Sequence, residues 1–123
     1  MIIGLGSDLV DISRIAGVHQ RFGARFARRF LAAEELALLP PQPAAWLAGR
    51  FAAKEAAAKA LGTGFRDGVE WRDILALPNQ LGKPELVLRG EAAALAARMG
   101  VRKCHVSISH ERQMALAVAI LEG

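Results

Sequence analysis

A chain of 123 residues with 53% hydrophobic and 23% charged side chains reads as one globular domain over 1–123, too small to enclose a deep ligand cleft within a single copy. Sixteen Lys and Arg against twelve Asp and Glu leave a net charge of +4, which points to an acidic partner. The one cysteine, Cys104, excludes an internal disulfide framework, and the longest strictly apolar run, 114–121, falls far short of the roughly 20 residues of a membrane span, so a cytoplasmic protein with no membrane contact is expected.

Residues 1–10 alternate as a strand does, with Ile3, Leu5, Ser7 and Leu9 on one face and Gly4, Gly6 and Asp8 on the other. Glycine weakens a strand interior, and a usual reason for it is the close approach of another backbone. The alanine-rich helix further along is the candidate, and packing it there would carry Glu55 toward Asp8. Taken alone, Asp8 is equally a strand-end cap or turn residue.

Residues 11–39 have helical signals interrupted by Gly17 and Gly23 and ended by Pro40 and Pro41. Arg14, Arg21, Arg25 and Arg28 follow at spacings of seven, four and three. A single helical phase running through Gly23 would hold all four within about 60° as a basic ridge. For any one of them a solvated amphipathic face is the plainer reading. Glu34 and Glu35 open a short apolar helix over 36–39 as first-turn acids facing the helix dipole.

The segment RFAAKEAAAKALGTG at 50–64 dominates the chain. A helix is expected over 44–61, preceded by prolines 40, 41 and 43 and closed by Gly62 and Gly64. Glu55 and Lys59 stand four apart with the acid first, the favoured order for a pair, while Arg50 and Lys54 lie on neighbouring turns. The alanine surface lets this helix seat closely, a sound mounting for a metal-binding carboxylate. An ordinary solvated pair accounts for the same spacing.

Beyond it, 69–77 contains a strand, 78–84 a loop and 86–88 a returning strand. Gly82, Lys83 and Pro84 present a cation on a stiffened turn. Residues 90–100 form a second alanine-rich helix, read as scaffold. Residues 103–109 and 114–120 make a hairpin with His110 and Glu111 at its turn. Cys104 lies on its apolar face, as a core thiol does, and the small face of Ala115, Ala117 and Ala119 suits a helix or a neighbouring subunit. His110 has no second His or Cys at zinc spacing, so no zinc site is expected. The architecture is α+β: an antiparallel sheet packed on a long alanine-rich helix.

No Walker loop, dinucleotide glycine motif or nucleophile elbow is present. Five Phe, two Trp and no Tyr offer little for base stacking, which disfavours a nucleic-acid binder. Two carboxylates, cations and glycine turns suit a hard-metal phosphate site, in which Asp8 and Glu55 would hold Mg2+ and Lys59 would neutralise phosphate. A magnesium-dependent phosphohydrolase would use the same groups.

GSD at 6–8, RFAAKEAAAKALGTG at 50–64, GKP at 82–84 and VSISH at 106–110, in this order on a chain of this length, resemble the bacterial holo-acyl-carrier-protein synthases, a family of 4′-phosphopantetheinyl transferases. The resemblance covers essentially the whole chain. It implies transfer of the phosphopantetheine arm of coenzyme A to a serine of an acidic apo acyl carrier protein, releasing adenosine 3′,5′-bisphosphate in support of fatty acid biosynthesis. It implies Asp8 and Glu55 as magnesium ligands and Lys59 beside the coenzyme A phosphates. Arg50, Gly82, Lys83, Pro84 and His110 match positions around the nucleotide, and Arg14, Arg21 and Arg25 become the docking residues for the carrier. The family further implies a homotrimer with sites between subunits, and Glu55 is the first choice for the general base.

Overall fold

The alanine-rich segment forms an 18-residue helix, α4 (Ala44–Leu61), entered from Pro43 and ended by Gly62 in the left-handed region at φ 87°. The computed structural model describes residues 1–123, and α4 is the axis on which the rest is assembled. In chain order the other elements are β1 (Ile2–Asp11), α1 (Ile12–Phe22), α2 (Ala24–Phe30), α3 (Ala33–Leu36), β2 (Ile74–Pro78), β3 (Pro84–Leu88), α5 (Gly90–Met99), β4 (Lys103–His110) and β5 (Met114–Glu122). A 3-10 turn at Trp71–Asp73 occupies part of the stretch expected to be strand, so β2 begins only at Ile74.

β1, β5 and β4 form an antiparallel sheet in that spatial order, and β2 and β3 pair as a separate ribbon. The two strand glycines of β1 have the role their positions suggested. A Cβ on Gly4 or Gly6 would fall inside 3.0 Å of the α4 backbone, at the Ala60 and Ala56 carbonyls respectively. Near its other end, α4 passes β4, where Gly49 lies against Ile108. The helix therefore crosses the sheet diagonally, with its N-terminal half over β4 and its C-terminal half over β1.

The small face of β5 lies beneath this helix. Ala115, Ala117 and Ala119 are completely buried within the single chain, so they receive α4 and are not a subunit surface. The bulky alternate residues point outward instead: Leu5 and Leu9 of β1 are 65% and 62% exposed and Leu116 of β5 is 41% exposed. Alternation revealed two faces without revealing which one the helix would cover.

Gly17 does not interrupt α1, whereas Gly23, at φ 56°, separates α1 from α2. The single helical phase needed for a four-arginine ridge is therefore broken: Arg14 and Arg21 belong to α1, Arg25 and Arg28 to α2, all exposed. The short acidic helix begins earlier than expected, at Ala33, and includes both glutamates. Glu35 accepts the Ala32 N–H at its first turn, yet it is also fully buried and paired with Lys54. Phe26, Phe30, Phe51, Phe65 and Trp71 pack as one aromatic cluster, with Phe65 stacked on Trp71 at 3.8 Å between centroids. Cys104 is half-buried, and burial pushes its thiol pKa up, away from nucleophile chemistry. No helix is long and apolar enough to cross a membrane.

Candidate active site

β1 and the C-terminal half of α4 place Asp8, Glu55 and Lys59 together. Asp8 follows the glycines on the face of β1 that α4 covers, and close seating of the helix brings its side chains down to that level. The Lys59 ammonium donates to the Ser7 carbonyl at 3.0 Å and to Asp8 Oδ1 at 3.2 Å. The Lys59 side chain is 51% exposed and that of Asp8 17%, so the cluster is seated at its base and open at its rim.

Glu55 has its pKa raised above the ordinary carboxylate value of 4.5, first by burial and then by the nearby Asp8 charge. Lys59 and Arg14 oppose the shift without cancelling it. Thus Arg14, at the start of α1, shares the electrostatic neighbourhood of the two carboxylates. Two carboxylates close enough for one to raise the other's cost of ionisation are what a divalent cation relieves. Two carboxylates at a partly exposed position fit magnesium, which is usually held by one or two protein carboxylates. There is no cluster of three or more His, Cys, Asp or Glu side chains of the kind a protein-only metal cage needs.

The other expected site residues lie elsewhere on the chain. Arg50 precedes Lys59 by nine residues, which puts it on the opposite side of α4. Its guanidinium stacks over Trp46 at 4.7 Å, and its buried Nε has no hydrogen-bond partner. Burial lowers the Arg50 pKa, with Glu35 opposing. Lys83 and Pro84 line a surface hollow with Cys104 and His105 of β4, and Gly82 adopts φ 82° in the turn beside them. The Asn79 side chain shapes this turn by accepting the Leu81 and Lys83 N–H groups. His110, at the far end of β4, adjoins Pro43 and Ala44 at the start of α4. β5 separates β1 from β4, so His110 stands two strand spacings, about 10 Å, from the strand bearing Asp8.

Arg21 lies over the Phe22 ring at 5.3 Å, and Arg25 borders a depression with Arg28, Arg29, Phe22 and Phe26. Arg14 therefore joins the carboxylates, while Arg25 stands beyond the Gly23 break. Sequence reasoning missed the buried partnership of Lys54 with Glu35. Its signal was available: Lys54 is seven residues from both Leu47 and Leu61, two core leucines on the same side of α4.

Residues 4–119 match the model of the 4'-phosphopantetheinyl transferase superfamily, and the chain belongs to that superfamily. The holo-[acyl-carrier-protein] synthase of Nitratidesulfovibrio vulgaris (strain DP4) is 53% identical over 124 residues, covering 100% of both chains. That of Salmonella arizonae is 50% identical, covering 99% of this chain and 95% of its own. Among solved structures, the Neisseria meningitidis synthase superposes with a TM-score of 0.92 at 39% identity over 100% of both chains. The Helicobacter pylori synthase, crystallised in complex with coenzyme A, gives 0.86 at 31% identity over 96% of this chain and 99% of that one.

Proposed function

We infer that this chain is a holo-acyl-carrier-protein synthase, which moves the 4′-phosphopantetheine arm of coenzyme A to a serine of an apo acyl carrier protein and releases adenosine 3′,5′-bisphosphate. The observation that carries this reading is the Asp8, Glu55 and Lys59 cluster, on a chain that aligns along its whole length with such synthases. Asp8 and Glu55 would hold Mg2+, which would supply charge neutralisation at the pyrophosphate. Lys59 adds a second positive charge at the phosphates. The serine Oγ attacks the β-phosphorus, the bond from that phosphorus to the oxygen of adenosine 3′,5′-bisphosphate breaks, and Glu55 takes the serine proton.

The separation of Arg50, Lys83 and His110 from the carboxylates supports a shared arrangement. The carboxylates of one copy face Arg50, Gly82, Lys83, Pro84 and His110 of a neighbour in a homotrimer, and the coenzyme lies between them. The outward apolar residues Leu5, Leu9 and Leu116 supply the packing surface. Arg14, Arg21 and Arg25 hold the acidic carrier, in the cytoplasm and in the service of fatty acid biosynthesis. Incubation with coenzyme A, Mg2+ and an apo carrier tests the reading. A carrier heavier by one phosphopantetheine supports it. Free phosphate with unmodified carrier would make the protein a phosphohydrolase, and no chemistry at all would make it a binder.

A further inference from the structure

Lys54 and Glu35 are both fully buried, and neither has a role in the reaction as written above. The Lys54 ammonium spends all three of its protons, on Glu35 Oε1 at 2.7 Å, the Trp71 carbonyl at 3.0 Å and the Ile74 carbonyl at 2.5 Å. Glu35 Oε1 also accepts the Ala32 N–H at 2.9 Å, and Oε2 accepts the Ala76 N–H at 3.0 Å. An apolar pair of similar volume often fills a core as stably as a buried ion pair. What the ionic pair adds is direction, since five short bonds fix α3, α4, the 3-10 turn and β2 in one mutual arrangement.

The β2–β3 ribbon is a sheet of its own and shares no ladder with β1, β5 and β4. Its bonds to Lys54 and Glu35, at Ile74 and Ala76, are the buried hydrogen bonds that tie it to the helices. The exposed Arg89–Glu34 pair adds a tie just past β3. The ribbon ends in the Gly82–Pro84 turn. α4, in contrast, is seated on β1 independently of this joint, through Gly4, Gly6 and the alanine face. Loss of the joint would remove the directional bonds that set the ribbon's orientation, with Ile74, Leu75 and Ala76 still packed in the core and Asp8, Glu55 and Lys59 left in place.

We propose that the buried Lys54–Glu35 pair is a positioning device that locks the β2–β3 ribbon to α4 and thereby sets the Gly82–Pro84 turn for coenzyme A. This rests on the reading of that turn as a coenzyme A contact. The test is the double variant Glu35→Leu/Lys54→Met, which removes the bonds without stranding a buried charge, compared with wild type and with Lys83→Glu. Lys54→Arg, which keeps the charge but changes its reach, serves if the double variant does not fold by circular dichroism. Coenzyme A affinity by calorimetry and its KM should weaken about tenfold or more, with the KM values for Mg2+ and for the carrier within about twofold of wild type. A raised magnesium KM would overturn the proposal by placing the effect on Glu55. Weak coenzyme A binding in Lys83→Glu with normal binding in the joint variant would overturn it while sparing the turn reading. Normal binding in Lys83→Glu removes the turn reading and the proposal with it.

Discussion

Replacing Gly6 with alanine should drive α4 away from β1 and disable the site without touching any of its side chains. The new Cβ would stand 2.8 Å from the Ala60 nitrogen and closer still to the Ala56 carbonyl oxygen. Ordinary contact begins near 3.4 Å, so the helix must retreat by at least about 0.6 Å on the nitrogen side alone. Both obstacles are backbone, and no rotamer change relieves them. The Lys59 bonds to Ser7 and Asp8, at 3.0 and 3.2 Å, would lengthen past useful reach. Overpacking of this kind costs about 1–3 kcal/mol, and a misplacement on the order of 1 Å costs a rate factor of about 100. Thermal melting and steady-state transfer kinetics measure the two effects. Gly17→Ala is the control: nothing lies within 4 Å of its Cβ, and in the middle of α1 it should stabilise by roughly 0.5–1 kcal/mol. A Gly6→Ala protein with wild-type melting temperature and wild-type kcat/KM would refute the close-seating argument.

Asp8→Ala and Glu55→Ala should each cost most of the transfer activity and leave a folded protein, checked by circular dichroism alongside the carrier mass assay, because each removes one of the two carboxylates that would hold magnesium at the phosphates. Arg14→Glu, Arg21→Glu and Arg25→Glu should raise the carrier KM far more than the coenzyme A KM, and wild-type carrier affinity should fall as added salt shrinks the Debye length from about 10 Å toward about 3 Å. With the arginines split by Gly23, Arg14 should also affect kcat through its proximity to Glu55, which Arg25 should not. The raised pKa of Glu55 means that the neutral acid favours folding below 4.5 and that this contribution is lost as pH rises through the folded value. Magnesium needs the ionised form, so its apparent affinity should fall as pH drops through the same raised value. Leu5→Glu with Leu9→Glu should break the oligomer, seen by sedimentation, together with activity.

α4, its glycine stop, the close approach of β1 and the meeting of Asp8 with Glu55 were legible because each follows from short-range pattern. Alanine density and glycine spacing say how near two backbones come. Three features were not read from the sequence, for equally physical reasons. Alternation in β5 is symmetric between its faces, so the covered side had to be seen. Helical phase does not survive Gly23, a change only its dihedral reveals. Lys54 sits in a run that reads as solvated charge, although the heptad placement between Leu47 and Leu61 marks a core position. The separation of Arg50, Lys83 and His110 from Asp8 was beyond sequence pattern altogether, since it depends on how α4, the β2–β3 ribbon and β4 pack together.

The linkage between magnesium and coenzyme A at Asp8 is the most direct measurement of what this cluster does. Calorimetric titration of coenzyme A, with and without Mg2+, should be run on the wild type and on Asp8→Ala. If the carboxylates hold the ion against the pyrophosphate, Mg2+ should tighten coenzyme A binding in the wild type, and that coupling should vanish in the variant. Equal tightening by Mg2+ in both proteins would contradict the assignment and move the metal, and the reaction, away from Asp8.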